Sequence, residues 1–217
     1  MKDIHLDQVK NIIFDLGAVL FTIDYSLTIK SFEALGIHDF TSFFSKKRQD
    51  PIFDQYEQGE VSTSQFLQKI KEHLPKSTSN NDIVKAWNSM LLSFPIASIE
   101  LLKGLKPNYR LFLLSNTNAL HYSGFHDIIY KQHGISDLET FFEKVYYSHL
   151  IGMRKPDKKV FKFVLEENEL ISSETLFIDD TLQHVKGAEE IGIHGKLLEK
   201  DIAIWNLFDA DYKIAAL

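Results

Sequence analysis

The spacing of apolar positions changes several times along this chain, and the changes divide it into segments. Residues 9–14 predict a short, fully buried strand, apolar on both faces as in a parallel sheet. From 25 to about 93 the pattern turns helical. Segments 31–36, 64–70 and 82–88 repeat their apolar residues at three- and four-residue steps, as in Phe66, Leu67 and Ile70, or Ile83, Val84 and Trp87. Gly36 and Pro75 punctuate these stretches, and the polar tract 76–81 predicts a loop. No strand pattern occurs in this block, which reads as an all-helical insert.

After Pro95 the pattern alternates. A helix is expected over 96–106, a buried strand over 109–114 ending at Ser115 and Asn116, and a helix over about 118–130. A strand at 144–148 precedes a helix opened by Pro156, with Val160, Phe161, Val164 and Leu165 on one face. A strand at 175–178 ends in Asp179 and Asp180. The helical stripe Leu182, Val185, Ala188 and Ile191 is closed by Gly192, and 194–198 predicts the last strand. Strands alternating with helices predict an α/β fold, a Rossmann-like parallel sheet with right-handed crossovers. Its functional crevice is expected at the strands' C-terminal ends. The expected division is an α/β core of residues 1–24 and 94–217 around an inserted helical cap of residues 25–93.

Composition narrows the function classes. With 217 residues, 44% hydrophobic and 25% charged, the chain is long enough for one large domain, or a domain with a small insert, around a sizeable core. The formal charge of −6 argues against nucleic acid or an anionic membrane surface as the main partner. The absence of cysteine excludes disulfides and thiolate metal sites, and fits the reducing cytoplasm. The first ten residues mix acids and bases and do not form a secretory signal. No apolar run approaches the ~20 residues needed to span a bilayer. The nine histidines are scattered; zinc is not expected, and most of these rings read as carrying no special role.

The polar residues of interest stand at strand ends: Asp15, Ser115, and Asp179 with Asp180, with Lys155 in a charged loop before a helix. Alone, each has a plain reading as a solvated turn or a helix cap. Together they place three acids, a hydroxyl and a lysine, in order, at βα junctions along one sheet edge.

In that combination the sequence resembles the haloacid dehalogenase-like superfamily, in particular its phosphatases with a helical cap inserted after the first motif. Phe14-Asp15-Leu16-Gly17 corresponds to the first motif, Leu113-Leu114-Ser115-Asn116 to the second, Lys155-Pro156-Asp157 to the third, and Phe177-Ile178-Asp179-Asp180 to the fourth. The likeness extends over nearly the whole chain, and the stretch 56–60 resembles the cap of this branch. It implies Mg²⁺-dependent hydrolysis of a small phosphorylated metabolite, by a monomer or homodimer. Asp15 is then the nucleophile that forms an aspartyl-phosphate, and the loop amides after it cradle the phosphoryl oxygens. Lys155 offsets the charge of nucleophile and phosphoryl group. Ser115, Asn116 and Lys155 bind substrate, and Asp15, the Gly17 carbonyl and Asp180 hold the metal. Asp179 either joins that shell or orients it.

Two positions depart from the pattern. Most phosphatases of the superfamily carry a second aspartate, the general acid/base, where this chain has Gly17. Its loss implies slower or narrower turnover, favouring leaving groups of low pKa such as an anomeric sugar oxygen. His184 stands where the fourth motif's helix often has asparagine. Asp24, Tyr25, Phe53, Asp54 and Tyr56 are candidates for substrate contacts from the cap, against a plain reading of Phe53 and Tyr56 as packing residues. Two alternatives remain open: a haloacid-type dehalogenase, in which the same aspartate attacks carbon, and a non-catalytic protein that binds a phosphometabolite.

Overall fold

The computed structural model describes residues 8–37 and 51–215. Residues 1–7, which carry most of the segment read as lacking a secretory signal, and 38–50 within the expected insert lie outside the described residues.

Five parallel strands form the main sheet, in the order β5-β4-β1-β6-β7. They are β1 (Asn11–Phe14), β4 (Arg110–Ser115), β5 (Lys144–Tyr147), β6 (Thr175–Asp179) and β7 (His194–Leu197). Alternation along each strand feeds two cores, one on each face of the sheet. Ile12, Phe14, Leu111, Leu113, Leu176 and Ile178 belong to one. Ile13, Phe112, Leu114 and Phe177 belong to the other, beneath Val160, Phe161 and Val164. This two-sided burial is why the strands appear in the sequence as apolar runs. The α/β architecture is the one expected.

Helices α1 (Tyr25–Leu35), α2 (Pro51–Glu57), α3 (Thr63–Lys71) and α4 (Asn80–Asn88) surround a separate core of Phe32, Phe53, Tyr56, Phe66, Ile70, Ile83 and Trp87. Their ends follow local chemistry. Capping boxes at Ser62–Gln65 and Ser79–Asp82 start α3 and α4, and Gly36 at φ 110° closes α1 by donating its amide to Phe32 and Glu33. Among the described residues the remaining α-helices are α5 (Ile96–Leu105), α6 (Ala119–His133), α7 (Ser148–Ile151), α8 (Lys158–Glu167) and α9 (Leu182–Glu189).

The structure departs from the sequence reading in several places. The helix expected from Pro156 starts at Lys158, because the Asp157 side chain accepts from the Lys159 amide and caps it. α2 is a seven-residue helix, too short to show a period. The block read as free of strands contains β3 (Leu91–Ser93), which pairs antiparallel with β2 (Thr22–Ile23). This two-stranded ribbon flanks α1 to α4, and strands of two and three residues leave no alternation to detect.

Candidate active site

β1 lies between β4 and β6, with Phe14 in register with Leu113 on one side and Ile178 on the other. The residues just past these strands therefore converge: Asp15 beyond β1, Ser115 at the end of β4, Asp179 at the end of β6 and Asp180 after it. Lys155 enters from the loop between α7 and α8. Its ammonium donates to Asp15 Oδ1 at 2.8 Å, Asp179 Oδ2 at 2.7 Å and the Leu114 carbonyl at 2.8 Å. Three acceptors use all three protons. Lys155 and Asp179 are fully buried and Asp15 is 8% exposed. Such charges are tolerated only because they pair.

Supporting residues fix this cluster. Both polar atoms of the Asn116 side chain are committed to the Lys155 backbone, Nδ2 donating to its carbonyl at 2.9 Å and Oδ1 accepting from its amide at 3.0 Å. Asn116 borders the cavity and its side chain holds the lysine loop, so any contact to substrate falls to its backbone. Asp179 accepts from the Thr181 amide at 2.7 Å through Oδ1 and faces His184 Nδ1 at 3.0–3.1 Å. With Lys155 these contacts engage both its oxygens. The His184 imidazole, read in the sequence as a departure, supports that acid. Asp180 Oδ1 accepts from the Thr181 hydroxyl at 3.1 Å.

Other groups are left available. Asp15 Oδ2, Ser115 Oγ and the amides of Leu16 and Gly17 make no hydrogen bond among the described residues, whereas Ala18 donates to the Phe21 carbonyl. An acceptor and several donors thus border one space, a cavity of about 1110 Å³ lined by Asp15, Gly17, Ser115, Lys155 and Asp180 together with Tyr25, Asp54, Glu57, Trp87, His121 and Arg154.

Electrostatics mark a place for a cation. Carboxylate oxygens of Asp15, Asp179 and Asp180 lie within 4.8 Å of one another. Burial pushes the Asp15 carboxyl up to about 7, with Lys155 opposing and Asp179 and Asp180 adding to the rise. Burial also acts to raise Asp179, but Lys155 and His184 outweigh it and hold this acid below the usual carboxylate range. With all three carboxylates ionised, their charge exceeds that of the one ammonium by two, the complement of a divalent ion. All the candidate ligands are oxygens, the donor type that Mg²⁺ prefers.

Of the expected cap contacts, Tyr25 and Asp54 border the cavity. Asp24 caps α1 by accepting from the Ser26 amide at 2.9 Å. Phe53 and Tyr56 are buried in the helical core, where Phe53 stacks on Trp87 and Tyr56 on Phe66. Three ionisable lining residues were not singled out from the sequence. Arg154 pairs with Asp54, and with Glu57 at 2.8 Å, joining α2 to the Lys155 loop. Burial raises the Glu57 carboxyl despite that arginine. His121 is the third. Only the meeting of distant segments produces these contacts.

The family model for haloacid dehalogenase-like hydrolases matches residues 12–196. The chain belongs to that family, in agreement with the resemblance carried by its four motifs. D-Ribitol-5-phosphate phosphatase of Bacteroides thetaiotaomicron is 29% identical over 185 residues, 85% of this chain and 89% of the relative. A family enzyme from the same organism, solved as the wild-type protein with magnesium and inorganic phosphate, has a TM-score of 0.81 at 33% identity, covering 93% of this chain and all of that one. A hydrolase of the same family from Porphyromonas gingivalis has a TM-score of 0.79 at 30% identity, covering 91% and 94%. Among the described residues no helix is long and apolar enough to cross a membrane.

Proposed function

We propose that the protein is a phosphatase that uses Mg²⁺ to hydrolyse small phosphomonoesters, sugar or polyol phosphates among them, through a phosphoryl group carried on Asp15. The observation behind this reading is the Lys155 ammonium joining Asp15 and Asp179 at one rim, beside a Ser115 hydroxyl and loop amides that have no partner among the described residues. The related enzymes, one named for a polyol phosphate and one crystallised with magnesium and phosphate, support it.

In this reading a carboxylate oxygen of Asp15 attacks phosphorus in line. The bond from phosphorus to the ester oxygen breaks as the bond to Asp15 forms, and the departing alkoxide takes a proton from water. Water then attacks the aspartyl-phosphate, releasing inorganic phosphate and regenerating the carboxylate. Ser115 Oγ and the amides of Leu16 and Gly17 donate to the phosphoryl oxygens, and Lys155 offsets their charge. Asp15, Asp180 and the Gly17 carbonyl would hold Mg²⁺, which when bound neutralises charge on nucleophile and phosphoryl group. Asp179 orients Lys155 and the helix after β6. Residues 25–93, with β3 as their last strand, act as a cap over the crevice that excludes water and chooses the organic part of the substrate. Neither step has a carboxylic acid at position 17 to move its proton, so both proceed more slowly than with one.

The test is phosphate release from a panel of phosphomonoesters with Mg²⁺, using Asp15→Asn as the blank. Release that disappears in the blank and in EDTA is expected. Release that survives chelation would contradict the metal assignment, and halide release from a haloacid without phosphatase activity would favour the dehalogenase.

A further inference from the structure

Where α4 meets α6, the cavity is bordered by an imidazole held more firmly than packing requires. The His121 ring lies parallel to Trp87, with centroids 4.8 Å apart and planes inclined by 6°. Trp87 in turn stacks on Phe53 at 5.5 Å, so the histidine is fastened to the core of the helical insert. A phenylalanine would serve this stack equally well. The polar contacts are specific to histidine.

Asn88 Nδ2 donates to the Leu120 carbonyl at 3.2 Å, which fixes the orientation of the amide. Asn88 Oδ1 therefore faces His121 Nδ1 at 2.9 Å as an acceptor, and the proton sits on Nδ1. Nε2 is left with a lone pair and makes no hydrogen bond among the described residues, on a ring that borders the cavity. Burial depresses the ring's pKa to about 3, so it stays neutral at ordinary pH.

A rigid, uncharged acceptor complements a hydroxyl group. It offers nothing to a phosphoryl oxygen, which is itself an acceptor, and nothing to an alkyl chain. The cavity, about 1110 Å³, has room for an organic moiety beyond the phosphate. We infer that His121 is a specificity-determining residue whose Nε2 accepts a hydrogen bond from a hydroxyl of the substrate's organic part, selecting hydroxylated phosphomonoesters over alkyl phosphates. This rests on the phosphatase reading above and adds to it the group that senses the leaving alcohol's hydroxyls.

The test is the ratio of kcat/KM for a five-carbon polyol phosphate to that for pentyl phosphate, with Mg²⁺, in the wild type, His121→Phe and His121→Gln. A ratio taken on one preparation does not depend on how much of it is folded. Loss of one hydrogen bond is expected to lower the ratio about 3- to 10-fold in His121→Phe, mainly through KM for the polyol ester. His121→Gln, which can present an amide oxygen near the place of Nε2, should recover part of it. An unchanged ratio in His121→Phe would overturn the inference while leaving the phosphatase intact. No phosphate release from any ester by the wild type would overturn both.

Discussion

The glycine beside the proposed nucleophile offers a gain-of-function experiment. In Gly17→Asp the added Cβ would lie 3.1 Å from Ile23 Cδ1, the mobile end of a half-buried side chain on β2. Gly17 does not have a left-handed φ, so an L-residue fits its backbone, and a shift of a few tenths of an ångström by Ile23 relieves the contact. The structural cost is of order 1 kcal/mol. The catalytic return is larger. A positioned acid/base contributes about 10²- to 10⁴-fold, or roughly 3–5 kcal/mol of barrier. The new carboxyl would enter beside Ile23 in the cavity that Asp15 and Asp180 also line, and like charges nearby raise a carboxyl's pKa toward neutral, as a general acid requires.

The assay is kcat at saturating Mg²⁺ on two esters whose leaving groups differ in basicity, glucose 6-phosphate and glucose 1-phosphate. The wild type should favour the anomeric ester, and the substitution should raise kcat more on the 6-phosphate. Ile23→Val added to Gly17→Asp should restore any stability lost to crowding without removing the gain. A folded Gly17→Asp protein with wild-type kcat on both esters would refute the reasoning, since some other group would then already supply the proton.

Two further outcomes follow from the buried charges. Lys155→Met leaves Asp15 and Asp179 without their shared cation and should cost about 3–5 kcal/mol, lowering Tm by roughly 10 °C in a scanning melt; an unshifted Tm would mean that the three-way pairing contributes little. The pKa of His121 is lowered on folding from 6.5 to about 3, so its contribution to stability is complete above pH 6.5 and lost as pH falls through the window down to 3. That contribution is at most about 5 kcal/mol, reduced because the ring borders the cavity. Denaturant unfolding at pH 7 and pH 4 should therefore show a smaller acid loss in His121→Phe than in the wild type; equal losses would contradict it.

What was legible in the sequence follows from the geometry of the fold. Parallel strands buried on both faces keep apolar runs, so β1, β4 and β6 stand out, and the first polar residue after each run marks the crevice. Asp15, Ser115, Asp179 and Asp180 are visible for that reason, and Lys155 through its Lys-Pro-Asp setting. The rest was hidden in two ways. Elements as short as α2, β2 and β3 complete too little of a period to register. Residues such as His121, Asn116 and Arg154 acquire their positions from segments tens of residues away: Asn88, the Lys155 backbone, and Asp54 with Glu57. Pattern along the chain carries no record of such meetings. The surroundings of Asp179 likewise come from three contacts, only one of them within its own turn.

The phosphoryl group on Asp15 can be sought directly. With an ester whose leaving group is of low pKa the first step needs no acid, while the second still lacks a base at Gly17 to activate the hydrolytic water, so the intermediate should accumulate. Acid quenching during turnover of such an ester carrying radiolabelled phosphate should leave label on the protein, labile to hydroxylamine and confined to the peptide that contains Asp15. Turnover with no label retained, or label retained in Asp15→Asn, would contradict a nucleophilic role for this carboxylate.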